Sequence, residues 1–314
     1  GPMSRTRKVG SPIGYSGSAG LTGFVSVWST TVDGESITIP TQAGTFNAVV
    51  DWGDSSPPET ITSSTGFVHP YTTAGDHTIS ITGVFPNIYL YLAADRLKLK
   101  KVLNLGTVGW TTFQNSFFGC TNLTEFTVGS TDTSAVTTFR SMFYGCSGLT
   151  SLNVSSLDTS LANSTTFMFW GCTGLTSVDV SSWDTALVDN MASMFQNCSG
   201  LTSIDVSSFN TSSVANMSQM FTGCNGLTSI VGVEDFDITG LNSTGDLNNF
   251  LTVGKMTTAQ YDNLLVKWEA QDPFNGMTPS FGASKYTGGG AAATARQDLI
   301  DIDGWSISDG GIAP

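Results

Sequence analysis

Three consecutive stretches of the chain align without a gap: CSGLTSLNVSSLDTSLANSTTFMFWG (146–171), CTGLTSVDVSSWDTALVDNMASMFQN (172–197) and CSGLTSIDVSSFNTSSVANMSQMFTG (198–223). Each opens on a cysteine, and with Cys120 and Cys224 all five cysteines of the chain fall on a period of 26 residues. A rare residue type locked to one period predicts a solenoid, in which each period is a coil stacked on the last and no coil buries its own face.

Within the period, leucine stands three residues after the cysteine (Leu123, Leu149, Leu175, Leu201, Leu227). An apolar residue stands six after (Phe126, Leu152, Val178, Ile204, Ile230), and Val128, Val154, Val180 or Val206 eight after. This LxxLxV spacing predicts a short strand with alternate residues inward, so that strands of successive coils pair in parallel and their inward residues form ladders. Phe139, Met191 and Met217, then Met142-Phe143, Met168-Phe169, Met194-Phe195 and Met220-Phe221, recur ahead of the next cysteine. Their three- and four-residue spacing predicts a short helix or helical turn. Asp132, Asp158, Asp184 and Asn210, twelve residues after the cysteine, are read as caps of that turn rather than as a calcium ladder.

The SSWDT…NMxxMFxxC and GLTSLDV motifs resemble those of the BspA-like leucine-rich-repeat surface proteins of bacteria, in their 26-residue variant, over roughly residues 100 to 250. Thr131, Leu157 and Phe209 stand where Trp183 carries the family's tryptophan, and residues 162–165 lack the Asn-Met pair present at Asn190-Met191. Upstream, VDWGD (50–54) and HPYTTAGDHTISITG (69–83) resemble the polycystic-kidney-disease-like β-sandwich, with Ser55 and His77 at positions where that family has glycine and tyrosine. In that family the module is a spacer or a contact domain.

Four segments follow. Residues 1–20 are expected to be a flexible N-terminal segment in which Gly1-Pro2, ahead of Met3, looks like a protease scar. Residues 21–95 are expected to form the sandwich, 96–250 the solenoid and 251–314 a C-terminal cap. In the cap Tyr261, Leu264, Leu265 and Trp268 share one helical face, and a second helix from Ala291 to about Ile302 precedes a short strand, Trp305 to Ile307. The fold class is thus mixed β and α/β: sandwich, parallel-stranded solenoid with short helical turns, and small helical cap.

Net charge is −13, charged residues make up only 12% of the chain, and between Lys101 and Lys255 the one basic residue is Arg140. Nucleic acid is excluded as an expected partner, since phosphate binding needs clustered Lys and Arg. No run of 18 apolar residues predicts a membrane span, and the N-terminus lacks the apolar core of a signal peptide. Surfaces covered by Ser, Thr, Asn and Gly suit an extracellular setting. The cysteine ladder has no C-x-x-C spacing and no histidine near it, so buried reduced thiols are expected, with no metal and no cofactor. Asp51 and Asp54 are a second, weaker calcium candidate. Trp183, Phe209 and Leu157 are expected to be core rather than a sugar-stacking strip.

With only His69 and His77, and no nucleophile, zinc or phosphate-loop motif, no catalytic residue is expected and the chain is read as a non-enzyme. The candidate ligand-binding residues are those pointing outward from the repeat strands: Thr150, Ser151 and Asn153; Thr176, Ser177 and Asp179; Thr202, Ser203 and Asp205. The function expected is extracellular or cell-surface recognition and adhesion toward a glycan or a protein. A phage virion protein mediating host attachment is the alternative, and a glycan-active enzyme ranks third. The oligomeric state is left open.

Overall fold

The structure, a computed structural model, describes residues 21–314. The expectation of a flexible N-terminal segment therefore lies outside the described residues. Alternation of apolar and polar residues in the first third of the chain produces strands β1 (Phe24–Thr30), β2 (Ser36–Thr38), β3 (Asn47–Asp51), β4 (Glu59–Ile61), β5 (Val68–Pro70) and β6 (Gly75–Val84). In β3 only Ala48 and Val50 turn inward, and in β6 His77, Ile79 and Ile81 do. β2 and β5 form a small antiparallel pair whose Ile37, with Ile39 and Phe67 nearby, is fully buried. Phe67 sets its ring against Phe46 and Phe85, the latter also touching Phe24 and Trp110.

Strand β7 (Leu99–Asn104) links this part to the repeats. One edge pairs antiparallel with β1; the other pairs in parallel with β8 (Glu125–Phe126), the first repeat strand, through Lys101↔Glu125 and Val102↔Phe126. The resulting six-stranded sheet, in the order β4-β3-β6-β1-β7-β8, carries hydrogen bonds across the sequence boundary at 95/96. A single buried cluster runs from Phe24 through the repeats to Trp305.

The later repeat strands are β9 (Ser151–Asn153), β10 (Ser177–Asp179), β11 (Ser203–Asp205) and β12 (Ser229–Val231), each 26 residues from the last, the first three in the LxxLxV motif and β12 with Gly232 in place of its valine. They pair in parallel as expected, but two by two. β9 joins β10 and β11 joins β12, each in register, while the named sheets contain no β8–β9 or β10–β11 pairing. The uninterrupted ladder instead runs on the other side of each repeat. There the N–H groups of Phe117 and Gly119 donate to the carbonyls of Met142 and Tyr144, those of Phe143 and Gly145 to Met168 and Trp170, and those of Phe169 and Gly171 to Met194 and Gln196.

That ladder corrects the expected helical turn. Asn115, Ser141, Phe167, Ser193 and Gln219, one per period, have φ between 55° and 59°, and the residue before each cysteine (Gly119, Gly145, Gly171, Asn197, Gly223) is also left-handed. A residue with positive φ ends a right-handed helix. Alternate N–H groups are turned toward the next repeat, and the rest close i−3 turns such as Cys146 N–H to Phe143 O. The Met and Phe side chains still point inward, as their spacing predicts, and only the backbone conformation differs.

The expected caps take the form of Asx turns. Asp132, Asp158 and Asn210 each accept from the backbone N–H and the hydroxyl of the serine two residues on, and Asp184 accepts from Ala186 N–H. Two residues after Cys172 glycine is needed for want of space: a Cβ on Gly174 would lie 2.5 Å from the Ser147 carbonyl oxygen.

Two helices close the far end, α1 (Thr258–Glu269) and α2 (Ala291–Asp301). Thr257 and Gln260 form a capping box at the start of α1, and Tyr261, Leu264, Leu265 and Trp268 are its buried face, as the spacing predicts. Gln260 also accepts from Ile230 N–H and donates to Ser229 Oγ, tying α1 to β12. The short strand expected at Trp305 to Ile307 is not formed. Trp305 is buried and donates its indole N–H to Phe274 O, and the chain beyond makes only isolated bridges, Ser308 to Ser280 and Ile312 to Tyr286. The regular elements of the described chain are therefore mostly strands, with short parallel sheets and C-terminal helices.

Candidate functional site: the outward faces of the repeats

Thr150, Ser151, Asn153, Thr176, Ser177, Asp179, Thr202, Ser203 and Asp205 are all exposed, alternating with buried or half-buried Leu152, Val178 and Ile204. Strand pairing divides them. Ser151 lies opposite Ser177 and Asn153 opposite Asp179, whereas Ser203 and Asp205 lie opposite Ser229 and Val231, so the third group shares its strand pairing with β12 and not with the first two.

Part of this polarity is consumed locally. Oδ1 of Asn153, Asp179 and Asp205 accepts from the N–H and hydroxyl of Ser155, Ser181 and Ser207 at 2.5–3.0 Å. The bonds from Ser181 hold the Asp179 carboxyl below its ordinary range. Thr176 Oγ1 donates to Thr150 O. The second oxygen of each carboxylate or the amide nitrogen, together with the hydroxyls of Ser151, Ser177 and Ser203, makes no protein hydrogen bond among the described residues and is available to a ligand.

A second face lies on the turn side. Two residues before successive cysteines stand Phe118, Tyr144 and Trp170, all half-buried. Phe118 and Tyr144 stack at 4.2 Å between ring centres and 4° between planes, and Tyr144 and Trp170 at 4.3 Å and 8°. Tyr91, from the N-terminal part, meets Phe118 edge to face at 4.7 Å, and Phe167 meets Tyr144 at 6.3 Å and 62°. Arg140 lies over the Phe167 ring, 5.3 Å from its centre. Between these rings and Gln114, Asn115 and Ser141 runs a groove of about 430 Å³.

Sequence reasoning passed over this strip. The column Phe118, Tyr144, Trp170, Gln196, Thr222 is visible at the period, but its first members adjoin the inward Met-Phe pairs and read as more of the same core. The strip that reasoning did consider is interior. Leu157, Trp183 and Phe209 are buried, Trp183 donates its indole N–H to Val154 O, and Trp183, Phe209 and Phe236 stack at 6.2 and 6.4 Å.

Other reactive groups are engaged within the fold. The cysteines are free and buried, and Cys146, Cys172, Cys198 and Cys224 donate Sγ–H to Phe117, Phe143, Phe169 and Phe195 carbonyls at 3.0–3.1 Å. Burial pushes the Cys172 and Cys224 thiols up to about 12, leaving them protonated and unreactive at neutral pH. His69 pairs with Asp54 at 2.7 Å and stacks on Trp52; His77 bonds to Thr30 Oγ1 and stacks on Tyr71. No group of three His, Cys, Asp or Glu side chains among the described residues is placed to hold a metal ion. No helix of the described chain is long and apolar enough to cross a membrane.

These features define a β-rich repeat protein whose variable side chains are displayed on two outward faces. Residues 111–232, well under half of the chain, match a family described as Mycoplasma protein of unknown function, DUF285. The matched stretch is the repeat region, and the match is consistent with a BspA-like surface repeat protein. No curated protein and no solved structure gives a significant match to the chain.

Proposed function

We propose that the chain is a non-enzymatic recognition or adhesion protein acting outside the cell or at its surface. On this reading residues 96–250 are a leucine-rich-repeat solenoid that presents its outward faces to a glycan or a protein. A polycystic-kidney-disease-like sandwich serves as its base, and residues 251–314 cap the far end. The observation that carries the reading is the division of labour within each period: Leu, Val, Met, Phe and Cys go inward, Asx turns and carbonyl ladders use up the backbone, and the remaining hydroxyl, amide and carboxylate groups stand exposed in columns. Repeat surfaces of this kind recognise partners through side chains held at fixed spacing on a rigid stack.

The test is binding of the purified full chain to a panel of whole cells and surface glycans, comparing wild type with the double variant Asp179→Asn/Asp205→Asn. Because one oxygen of each residue serves its Asx turn, asparagine keeps the turn and removes only the charge. The expected result is binding by wild type, weakened at least roughly tenfold in the variant, the loss of one or two charge-assisted hydrogen bonds. Unchanged binding would remove the strand face from the contact, and hydrolysis of a bound glycan would overturn the non-enzymatic reading.

A further inference from the structure

We propose that the turn-side groove between Tyr91, Phe118, Tyr144 and Phe167 is a binding site for an acidic sugar, a pyranose that bears a carboxylate, with Arg140 as its anchor. The proposal rests on the recognition reading for its setting and goes beyond it in placing a contact away from the strand face and in stating its chemistry.

Charge is the first argument. In a chain of net charge −13, Arg140 is the one basic residue between Lys101 and Lys255. It is exposed, it has no carboxylate partner among the described residues, and its neighbours are the Phe167 ring and, at 3.4 Å, the Thr166 hydroxyl. A second guanidinium without a carboxylate partner, Arg96, packs against Gly119, next to Phe118. No acidic side chain lines the groove. An unpaired guanidinium on a rigid wall offers a planar fork for a carboxylate, and its field is not offset locally.

Strain is the second. Phe167 occupies the left-handed position that the other repeats give to Asn115, Ser141, Ser193 and Gln219, with φ 57°. Of the residues found there asparagine tolerates that conformation best and a bulky aromatic least, so Phe167 is the most strained of the five. At that position stands a half-buried ring that meets Tyr144 at 62° and lies under Arg140. Strained residues of this kind collect at ligand contacts.

Wall chemistry is the third. Phe118 and Tyr144 cover each other's faces, leaving their edges, while Tyr91 meets Phe118 at 78° and Phe167 meets Tyr144 at 62°. Ring edges carry the positive lobe of the quadrupole and suit sugar oxygens; ring faces suit the C–H side of a pyranose. Gln114, Asn115 and Ser141 add donors and acceptors at the rim, and a groove of about 430 Å³ falls within the size of small-ligand sites. An extended acidic peptide fits less well. Peptides are held largely through their main chain, and the N–H groups of Asn115, Gly119, Ser141 and Gly145 already donate to Arg140, Tyr144, Thr166 and Trp170 carbonyls.

The experiment is an array of oligosaccharides in which each uronic- or sialic-acid member is paired with its carboxyl-reduced counterpart, with an oligoglutamate peptide alongside, probed with the full chain. Hits are then titrated by following tryptophan emission. Of seven tryptophans Trp170 is the one not buried, and it stacks on Tyr144. The expected result is binding to at least one carboxylated member and none to its reduced counterpart. Arg140→Gln, a surface change, should weaken binding roughly 10- to 100-fold. Failure of every carboxylated sugar to bind, equal binding of the reduced forms, or preference for the peptide would each overturn the proposal. Binding that is indifferent to Arg140→Gln but lost in the strand-face double variant would overturn this site and leave the recognition reading standing.

Discussion

Phe169 and Trp170 are consecutive residues that leave the backbone toward opposite sides, and alanine at each separates the interior of the repeats from their turn-side face. Phe169 is fully buried, stacked on Phe143 at 5.8 Å and on Phe195 at 5.2 Å. Truncating a phenylalanine in such a position costs about 3–5 kcal/mol, because the repeats on either side are hydrogen-bonded to one another and cannot collapse into the void. Trp170 is half-buried with one ring partner, Tyr144, so its truncation costs about 1–2 kcal/mol, a single aromatic pair plus partial area.

The buried cluster is continuous, so the described residues 21–314 are expected to melt as one unit with an unfolding entropy of about 0.6 kcal/mol/K. Phe169→Ala should then lower Tm by about 5–8 °C and Trp170→Ala by about 2–3 °C, measured by scanning calorimetry at neutral pH. Equal shifts would refute the assignment of the aromatic strip to the surface. Two resolved transitions in either variant would refute the single cooperative core.

In the native state at pH 8 iodoacetamide should modify none of the five cysteines, and all five once the chain is unfolded, as read by mass spectrometry; prompt native labelling would contradict their burial. Unfolded thiols ionise near 8.5, whereas burial holds Cys172 and Cys224 protonated to about 12, so the unfolded state loses protons first and stability should fall as pH rises through that window. A Tm that stays level between about pH 8.5 and 11 would be incompatible with this. At the acid end, burial pushes the Asp54 carboxyl up, but hydrogen bonds from Ser56 and His69 outweigh it and hold the group at about 2. Its contribution is present above the ordinary carboxylate range near 3.9 and lost as pH falls toward 2, so Asp54→Asn should flatten that limb of the Tm–pH curve. Parallel curves for variant and wild type would remove Asp54 from the account.

Much of the repeat region was legible because a period is a one-dimensional property. The inward set at Leu149, Leu152, Val154, Met168, Phe169 and Cys172 follows from spacing alone, since every stacked copy must bury the same positions. The α1 face followed in the same way from helical periodicity. The turns ahead of the cysteines were misread because three- and four-residue spacing fits both a helix and a chain of turns. What selects the turns is the carbonyl of the next repeat, which claims alternate N–H groups and asks for left-handed residues at Ser141 and Gly145.

The candidate site divides along the same line. Alternation in a strand is local, so the exposure of Ser151, Asn153, Ser177 and Asp179 could be read from the residues themselves. Their grouping could not, because which strands share hydrogen bonds depends on how whole repeats lie on one another, and they pair two by two. The aromatic groove depends on still longer connections: Tyr91 comes from the N-terminal part, Phe118, Tyr144 and Phe167 from three successive repeats, and Arg140 from the middle one. Periodicity specifies which residues are equivalent and which go inward. Placing non-equivalent residues around one groove requires the stacking itself, because that is where chain segments far apart in sequence first come into contact.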